Sequence, residues 1–328
     1  MTDSIRWGIL GTGHIANEFA TGLQAIPDAV IQAVGSRTQA SADAFADKYT
    51  IANRHASYEA LAKDPEVDAI YVATPHPMHK DNTILCLRAG KAVLCEKPFT
   101  VNVAEAKEVV AVARETGQFC MEAMWTRFLP VYDQVRQWIA DDAIGEIRML
   151  QADFGFRADA EEAGRLLDPA MAGGSLLDVG IYPISLASML FAKQPDKMVS
   201  LAHLSDSGVD EQGAYLFQYD GGAMAMLSGA VLTDTPWEAT IMGTKGWIRI
   251  ERPFWNARTA TLQVGEDAPV TVTPDTIENG YNYEAMAVMD CMRKGLTEHP
   301  RMPLDESVAL METMDALRAQ WGMTYPMD

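Results

Sequence analysis

The sequence predicts an α/β domain with a parallel sheet, followed by an α+β domain with a large, mostly antiparallel open sheet. In the first third, strand-like and helix-like patterns alternate, and the strand-like runs are almost continuously apolar. This combination is typical of a parallel sheet covered by helices on both faces. From about residue 123, strand-like runs instead follow one another with turn signals between them, which favours hairpins. We therefore expect domains at residues 1–122 and 123–328.

The elements follow in order along the first domain. Strand-like runs lie at residues 4–10, 29–35, 67–73, 91–95 and 118–121. Helix-like stretches with one apolar face separate them. Asn102, with Glu105 three residues later, predicts a helix start, and Gly117 predicts its end.

The second half has a different order of elements. A helix at about 127–141 precedes a long amphipathic strand, GEIRMLQADFGF, and GGSLLDVGIYPISLASMLF then predicts a helix with an interior proline. Strand-like runs follow at 199–205, 213–219, 222–230, 237–242 and 246–250, and helices at about 281–294 and 305–321 close the chain.

Composition limits the class of protein. The 328 residues carry 26 basic and 45 acidic side chains, a net charge of −19, which disfavours nucleic acid and anionic membranes as partners. We expect no signal peptide and no membrane-spanning helix, because no long unbroken apolar run occurs. The four cysteines lack metal-ligand spacing, so we expect reduced thiols, no metal site and a cytoplasmic location.

A glycine motif follows the first strand. Its residues are Gly11, Thr12, Gly13, His14, Ile15 and Ala16. The first glycine permits a tight turn, the second allows a pyrophosphate to approach the backbone, and the helix that follows offers its N-terminus to phosphate. The motif predicts a dinucleotide site, with a purely structural turn as the alternative. His14 is expected near the phosphates and not as a catalyst.

Two further strand ends carry candidate cofactor residues. Ser36 and Arg37 follow the second strand where an NAD site usually has an acid, so they favour NADP over NAD. Thr74, Pro75 and His79 follow a later strand and are expected to line the ribose region of the nicotinamide. An exposed arginine and a helix-start or surface histidine are the alternatives.

The stretch LCEKPFT ends a buried strand at Glu96 and Lys97. A lysine at this edge can place an ammonium beside a substrate oxygen, with Glu96 orienting it, and Pro98 restricts the geometry of the residue before it. A solvated surface pair is the alternative.

A second polar pair, Asp178 and Tyr182, lies at i,i+4 before Pro183. We expect both on one helical face, with a kink nearby. They suggest a polar pocket floor, or else a capped helix with a packed tyrosine.

These motifs together resemble the Gfo/Idh/MocA (glucose–fructose oxidoreductase/inositol dehydrogenase) family over essentially the whole chain. The shared stretches are GTGHIA, ATPHPMH, EKP, GGSLLDVGIYP and GTKGWIRI. EAMWTRF looks like the branch that contains dimeric dihydrodiol dehydrogenase and NADP-dependent D-xylose dehydrogenase.

The resemblance implies a Rossmann domain, an open-sheet second domain, and catalytic positions at Lys97 and Tyr182 with Asp178 in the same pocket. Trp125, Phe154 and Trp255 are our candidates for an aromatic wall of the substrate site, with core packing as the alternative, and Arg127 is a further candidate substrate residue. It also implies a homodimer that forms through the C-terminal sheet.

The function expected from these residues is NADP-dependent hydride transfer to or from a sugar-, polyol- or diol-like substrate. A non-catalytic NAD(P)-binding regulator on the same fold is the alternative.

Overall fold

The computed structural model describes residues 4–328, and the chain divides into two compact units. The first unit contains the chain up to Trp125 together with Ile277–Val308, and the second contains Thr126–Thr276 with Ala309–Asp328. The sequence predicted a single crossing at residue 122/123. The chain instead returns to the first unit, because a late helix packs on the helix that follows the glycine motif.

The elements are as follows. The strands are β1 (Ile5–Leu10), β2 (Ala29–Gly35), β3 (Asn53–His55), β4 (Ala69–Val72), β5 (Ala92–Glu96), β6 (Cys120–Ala123), β7 (Ile147–Gly155), β8 (Lys197–Leu204), β9 (Asp210–Gln218), β10 (Met224–Ala230), β11 (Ala239–Gly243), β12 (Gly246–Ile250), β13 (Ala260–Val264) and β14 (Val270–Val272). The helices are α1 (His14–Gln24), α2 (Gln39–Tyr49), α3 (Tyr58–Ala62), α4 (His79–Arg88), α5 (Val103–Thr116), α6 (Pro130–Ala140), α7 (Ala160–Leu166), α8 (Ile181–Phe191), α9 (Tyr281–Arg293) and α10 (Leu304–Trp321).

The first unit is built on a six-stranded parallel sheet with strand order β3-β2-β1-β4-β5-β6. All residues of β4, β5 and β6 are buried, as expected where helices cover both faces. The strand order reverses between β1 and β4, and in such sheets ligands bind beyond the carboxyl ends of the strands at this point. The Asn102 side chain caps α5 by accepting from the Glu105 amide, and Gly117 ends that helix, both as predicted.

The second unit contains an eight-stranded sheet with order β14-β13-β12-β11-β7-β10-β9-β8. Its pairs are antiparallel except for β7 with β10. Helix α8 packs against β7 and β10 on one face, where Tyr215 and Phe217 are buried. The opposite face carries exposed apolar side chains such as Leu201 and Leu216. The predicted fold class is confirmed.

Three short strands, β3, β13 and β14, were not predicted. The first and last have three residues each, too few for an alternating pattern to appear in the sequence.

One stretch, Pro169–Phe191, has the length and mean hydropathy (1.4) of a membrane-spanning helix, although the sequence predicted none. Within the protein, 72% of this apolar window is buried, as in a core helix. The four cysteines are free and buried: Cys86, Cys95, Cys120 and Cys291.

Candidate functional site

The turn between β1 and α1 has the geometry of a phosphate cradle. Gly11 has φ +108°, and a Cβ there would lie 2.7 Å from the Ala73 carbonyl oxygen, so only glycine fits. A Cβ on Gly13 would meet no atom within 4 Å, which shows open space above the turn. The first turn of α1 contains no acidic residue, and His14 in it is exposed. Its backbone N–H groups therefore suit a pyrophosphate, with Thr12 and Ile15 half-buried beside them.

The end of β2 presents a cation next to this turn. Ser36 is buried and its amide donates to the His55 carbonyl at 3.1 Å. Arg37 is exposed, and no described hydrogen bond or ion pair in residues 4–328 holds its guanidinium. Burial raises the pKa of Tyr58, and the nearby charge of Arg37 opposes that rise. The residues present therefore fit a ribose 2′-phosphate, an anion that an unengaged guanidinium binds well.

His79 connects the turn after β4 to the turn after β5. It is fully buried, with Nδ1 2.7 Å from the Pro98 carbonyl oxygen and Nε2 2.7 Å from the Thr74 carbonyl oxygen. Burial lowers the pKa of His79, while the two carbonyl oxygens favour the charged ring. Both ring nitrogens thus contact backbone carbonyl oxygens, and His79 is a buried histidine at the start of α4, not a surface histidine. Pro75 stays exposed at the edge.

The turn that carries Lys97 is held by buried carboxyl groups. Glu96, the last residue of β5, accepts a hydrogen bond from the Tyr71 hydroxyl and, at 3.0 Å, one from the backbone amide of Lys97. Glu122 accepts from the Phe99 amide at 2.9 Å. Burial raises the pKa of Glu96 to about 7. The charge of Lys97 and the hydrogen bonds that Glu96 accepts from Tyr71 and the Lys97 amide oppose this rise. Glu96 therefore fixes the backbone from which the Lys97 side chain extends.

Glu284 on α9 is a buried acid that the sequence analysis missed. It is 0% exposed, and neither carboxyl oxygen has a hydrogen-bond partner among the described residues. Burial raises its pKa well above the usual value, and the negative charge of Glu96 adds to the rise. Its position at the start of the buried face of α9, beside Ala285 and Val288, was the available signal. Burial and the charge of Glu96 thus both favour the protonated form of Glu284.

In the second unit, Asp178 lies in a π-helical turn, Leu176–Gly180, that leads directly into α8. Single π-helical turns are frequent at functional sites. Tyr182 follows in the first turn of α8, is 6% exposed, and lies before Pro183. The kink expected near this pair therefore takes the form of a π-helical turn.

Aromatic rings surround Tyr182. Phe154 and Trp255 are stacked with their planes 5° apart, and their centroids lie 5.4 Å and 6.5 Å from the Tyr182 ring. Trp237, which the sequence did not single out, meets Trp255 edge-on with centroids 5.2 Å apart. The three rings of Phe154, Trp237 and Trp255, hereafter the aromatic cluster, form an apolar surface beside the Tyr182 phenol.

The other two predicted substrate residues have different surroundings. Trp125 lies in the first unit, where its ring stacks on Tyr281 with centroids 4.3 Å apart. Arg127 is buried in the second unit, and its guanidinium donates to the Ser185 hydroxyl at 2.9 Å and to the Ser185 carbonyl at 2.8 Å. Arg127 thus braces α8 one turn beyond Tyr182.

Known proteins match both units. A family model described as the NAD-binding Rossmann fold of the GFO_IDH_MocA oxidoreductase family matches residues 5–124, and the GFO/IDH/MocA C-terminal domain matches residues 132–249. The chain belongs to the Gfo/Idh/MocA oxidoreductase family. The predicted family is confirmed, and the protein is an oxidoreductase with an NAD(P)-binding fold.

Members of the family from animals are similar over their full length. Trans-1,2-dihydrobenzene-1,2-diol dehydrogenase from Mus musculus is 41% identical and that from Homo sapiens 39%, each alignment covering 99% of both chains. A 3-ketoreductase from Actinomadura kijaniata, solved with NADP and TDP-benzene, is 28% identical with a TM-score of 0.84, covering 97% of this chain and 98% of that one. An aldose-aldose oxidoreductase from Caulobacter crescentus is 24% identical with a TM-score of 0.88 and the same coverage, and this likeness shows the fold alone.

The raised pKa of the buried Glu284 predicts how the stability of the protein depends on pH. Because the folded pKa of Glu284 is raised, the unfolded chain loses its proton at lower pH than the folded protein does. The stabilisation is present below the ordinary carboxyl pKa and is lost as pH rises through the raised pKa. The difference in the free energy of unfolding between Glu284→Gln and the native protein should therefore shift in favour of the variant from pH 5 to pH 8. Urea unfolding at both pH values measures this difference. An equal change at both pH values would contradict this, and the exposed Glu115→Gln is the control.

Proposed function

We propose that this family member is an NADP-dependent dehydrogenase that interconverts a secondary alcohol and a ketone, or a lactol and a lactone, on a diol-, polyol- or sugar-like substrate. The observation that carries the proposal is Tyr182, a phenol held beside the aromatic cluster at the start of a buried helix. The names of the relatives support the substrate class, since several are dehydrogenases of a ring diol.

The aromatic cluster favours a substrate with a flat apolar face. Stacked Phe154 and Trp255 rings can pack against a carbocyclic ring or against the C–H face of a sugar. Tyr182 beside them can reach a hydroxyl on the same molecule.

The protein's own groups would then carry the proton. When bound, the nicotinamide would supply or accept the hydride at its C4 carbon. Tyr182 would donate its phenolic proton to the substrate oxygen during reduction and take it back during oxidation. The Lys97 ammonium would polarise a substrate oxygen next to the nicotinamide, and a charged Asp178 near Tyr182 would disfavour the phenolate form.

A non-catalytic regulator that binds NAD(P) is the alternative function. A regulator does not need a proton donor, whereas this chain has Tyr182 in addition to Lys97. The test is a panel of ring diols, aldoses and dicarbonyls, with turnover monitored by NADPH fluorescence. Turnover of any one of them would refute the regulator alternative.

The cofactor preference depends on Arg37. Arg37→Ala removes the charged partner of the 2′-phosphate, so it should weaken NADP binding by about 1–3 kcal/mol and leave NAD binding almost unchanged. Fluorescence titration of both cofactors measures this, with the exposed Arg88→Ala as a control. Equal affinity of the native protein for NAD and NADP would refute the assignment.

The proton transfer depends on Tyr182. Tyr182→Phe keeps the ring but removes the proton, so kcat should fall by about 10² to 10⁴ while binding persists. Lys97→Met should likewise keep NADP binding and lose kcat, because its interaction is strongest in the transition state. Steady-state kinetics across pH, with Tyr219→Phe as the hydroxyl-deletion control, test both. A near-native kcat with an unaltered pH profile in Tyr182→Phe would make Tyr182 a packing residue.

We also propose that two copies associate through the exposed face of the eight-stranded sheet. Val199, Leu201, Leu216 and Met224 lie on this face, and Leu201 is 80% exposed. Neighbouring exposed apolar side chains of this kind are typical of an interaction surface, and a two-fold axis would bury the same patch on both copies.

This proposal predicts the effect of a charge in the face. Leu201→Lys should shift the protein from dimer to monomer in sedimentation velocity, because a desolvated ammonium would face the partner sheet. Leu296→Lys, on an exposed apolar residue of the first unit, is the matched control. A native monomer, or a Leu201→Lys dimer as stable as the native one, would contradict it.

A further inference from the structure

Asp210, the first residue of β9, forms an unusual contact with the segment that leads to Tyr182. Its Oδ2 accepts from the Ser175 hydroxyl at 2.6 Å and from the Leu176 backbone amide at 2.7 Å. Leu176 begins the π-helical turn, so its amide is one of the N–H groups that a helix start leaves without an intrahelical partner. A carboxylate 34 residues away in sequence therefore caps this turn.

The backbone around this contact is shaped to bring the carboxylate in. Gly174 has φ +115°, and a Cβ there would lie 2.2 Å from Oδ1 of Asp210. Asp210 itself is 0% exposed. Burial raises its pKa to about 6, and the bonds from Ser175 and Leu176 work against that rise. At neutral pH the group is thus an ionised acceptor, and hydrogen bonds to an ionised acceptor are the stronger kind.

The other end of the π-helical turn sits close to the sheet. A Cβ on Gly229 of β10 would lie 3.1 Å from the Gly180 Cα, so the turn rests directly on the strand backbone. Arg127 braces the same helix at Ser185. Between these two supports lies Tyr182, whose ring position therefore depends on where the turn begins.

From these contacts we infer that Asp210 is a positioning residue for Tyr182. It anchors the first amide of the π-helical turn and so sets the height of the phenol beside Phe154 and Trp255. The inference rests on the proposed function in that Tyr182 is taken to be the proton carrier. Displacement of a reacting group by about 1 Å can lower a rate by about 10²-fold, so the anchor has a kinetic consequence.

The test compares Asp210→Ala with Asp210→Asn. The alanine variant loses both acceptor contacts, and its kcat should fall by about 10- to 100-fold with the Kd for NADP unchanged. The asparagine variant keeps a side-chain oxygen that can accept from Ser175 and Leu176, so it should recover most of the rate. Glu211→Ala, which removes the next carboxylate on the same strand, should behave as the native protein does.

A readout independent of activity accompanies the kinetics. Backbone amide hydrogen exchange in Leu176–Gly180 should accelerate in Asp210→Ala and return towards the native rate in Asp210→Asn. If Asp210→Ala does not fold, Ser175→Ala, which deletes one of the two contacts, takes its place and should show a smaller change in the same direction.

The outcomes separate the two proposals. Native exchange in the π-helical turn of Asp210→Ala, or a folded fraction with native kcat, overturns the positioning role. If the native chain turns over none of the panel substrates, the proposed function fails, and the exchange rates alone still decide whether Asp210 anchors the turn.

Discussion

The parallel sheet of the first unit brings the candidate cofactor-binding residues together at one edge. Parallel strands end on the same side, so the residues that follow β1, β2, β4 and β5 converge there even though they lie far apart in sequence. Buried polar groups then hold the turns in place: Glu96 binds the amide of Lys97, and His79 joins the two turns that flank the edge.

In the second unit, the position of α8, the helix that carries Tyr182, depends on a close approach to the sheet. The π-helical turn rests on β10 through glycine–glycine contact, and larger residues at Gly180 or Gly229 would push it away. Asp210 and Arg127 supply polar contacts at the two ends of the helical segment. The position of Tyr182 is thus a property of the sheet and the helix together.

In the first unit, two buried carboxyl groups, Glu96 and Glu284, influence each other's charge near the Lys97 turn. Glu284 has no hydrogen-bond partner for its carboxyl group within residues 4–328, and Glu96 has a raised pKa. The Glu284 carboxyl destabilises the fold, since removing a polar group from water is unfavourable when no partner replaces the water. The presence of both carboxyl groups near the Lys97 turn is in line with the general tendency of functional sites to shift pKa values.

Local signals in the sequence were enough to predict the fold class, most element bounds and the candidate residues at the strand ends. These depend on local signals: alternating periods, the glycine turn, the Asn102 cap and the motif EKP. The return of Ile277–Val308 to the first unit and the full burial of Glu284 within that segment became visible only in the tertiary structure. Tertiary structure also decided that Asp210 caps a turn 34 positions away and that Trp237 joins the aromatic cluster. These contacts join residues distant in sequence, and no local pattern of polarity or propensity encodes which distant partner a side chain will meet.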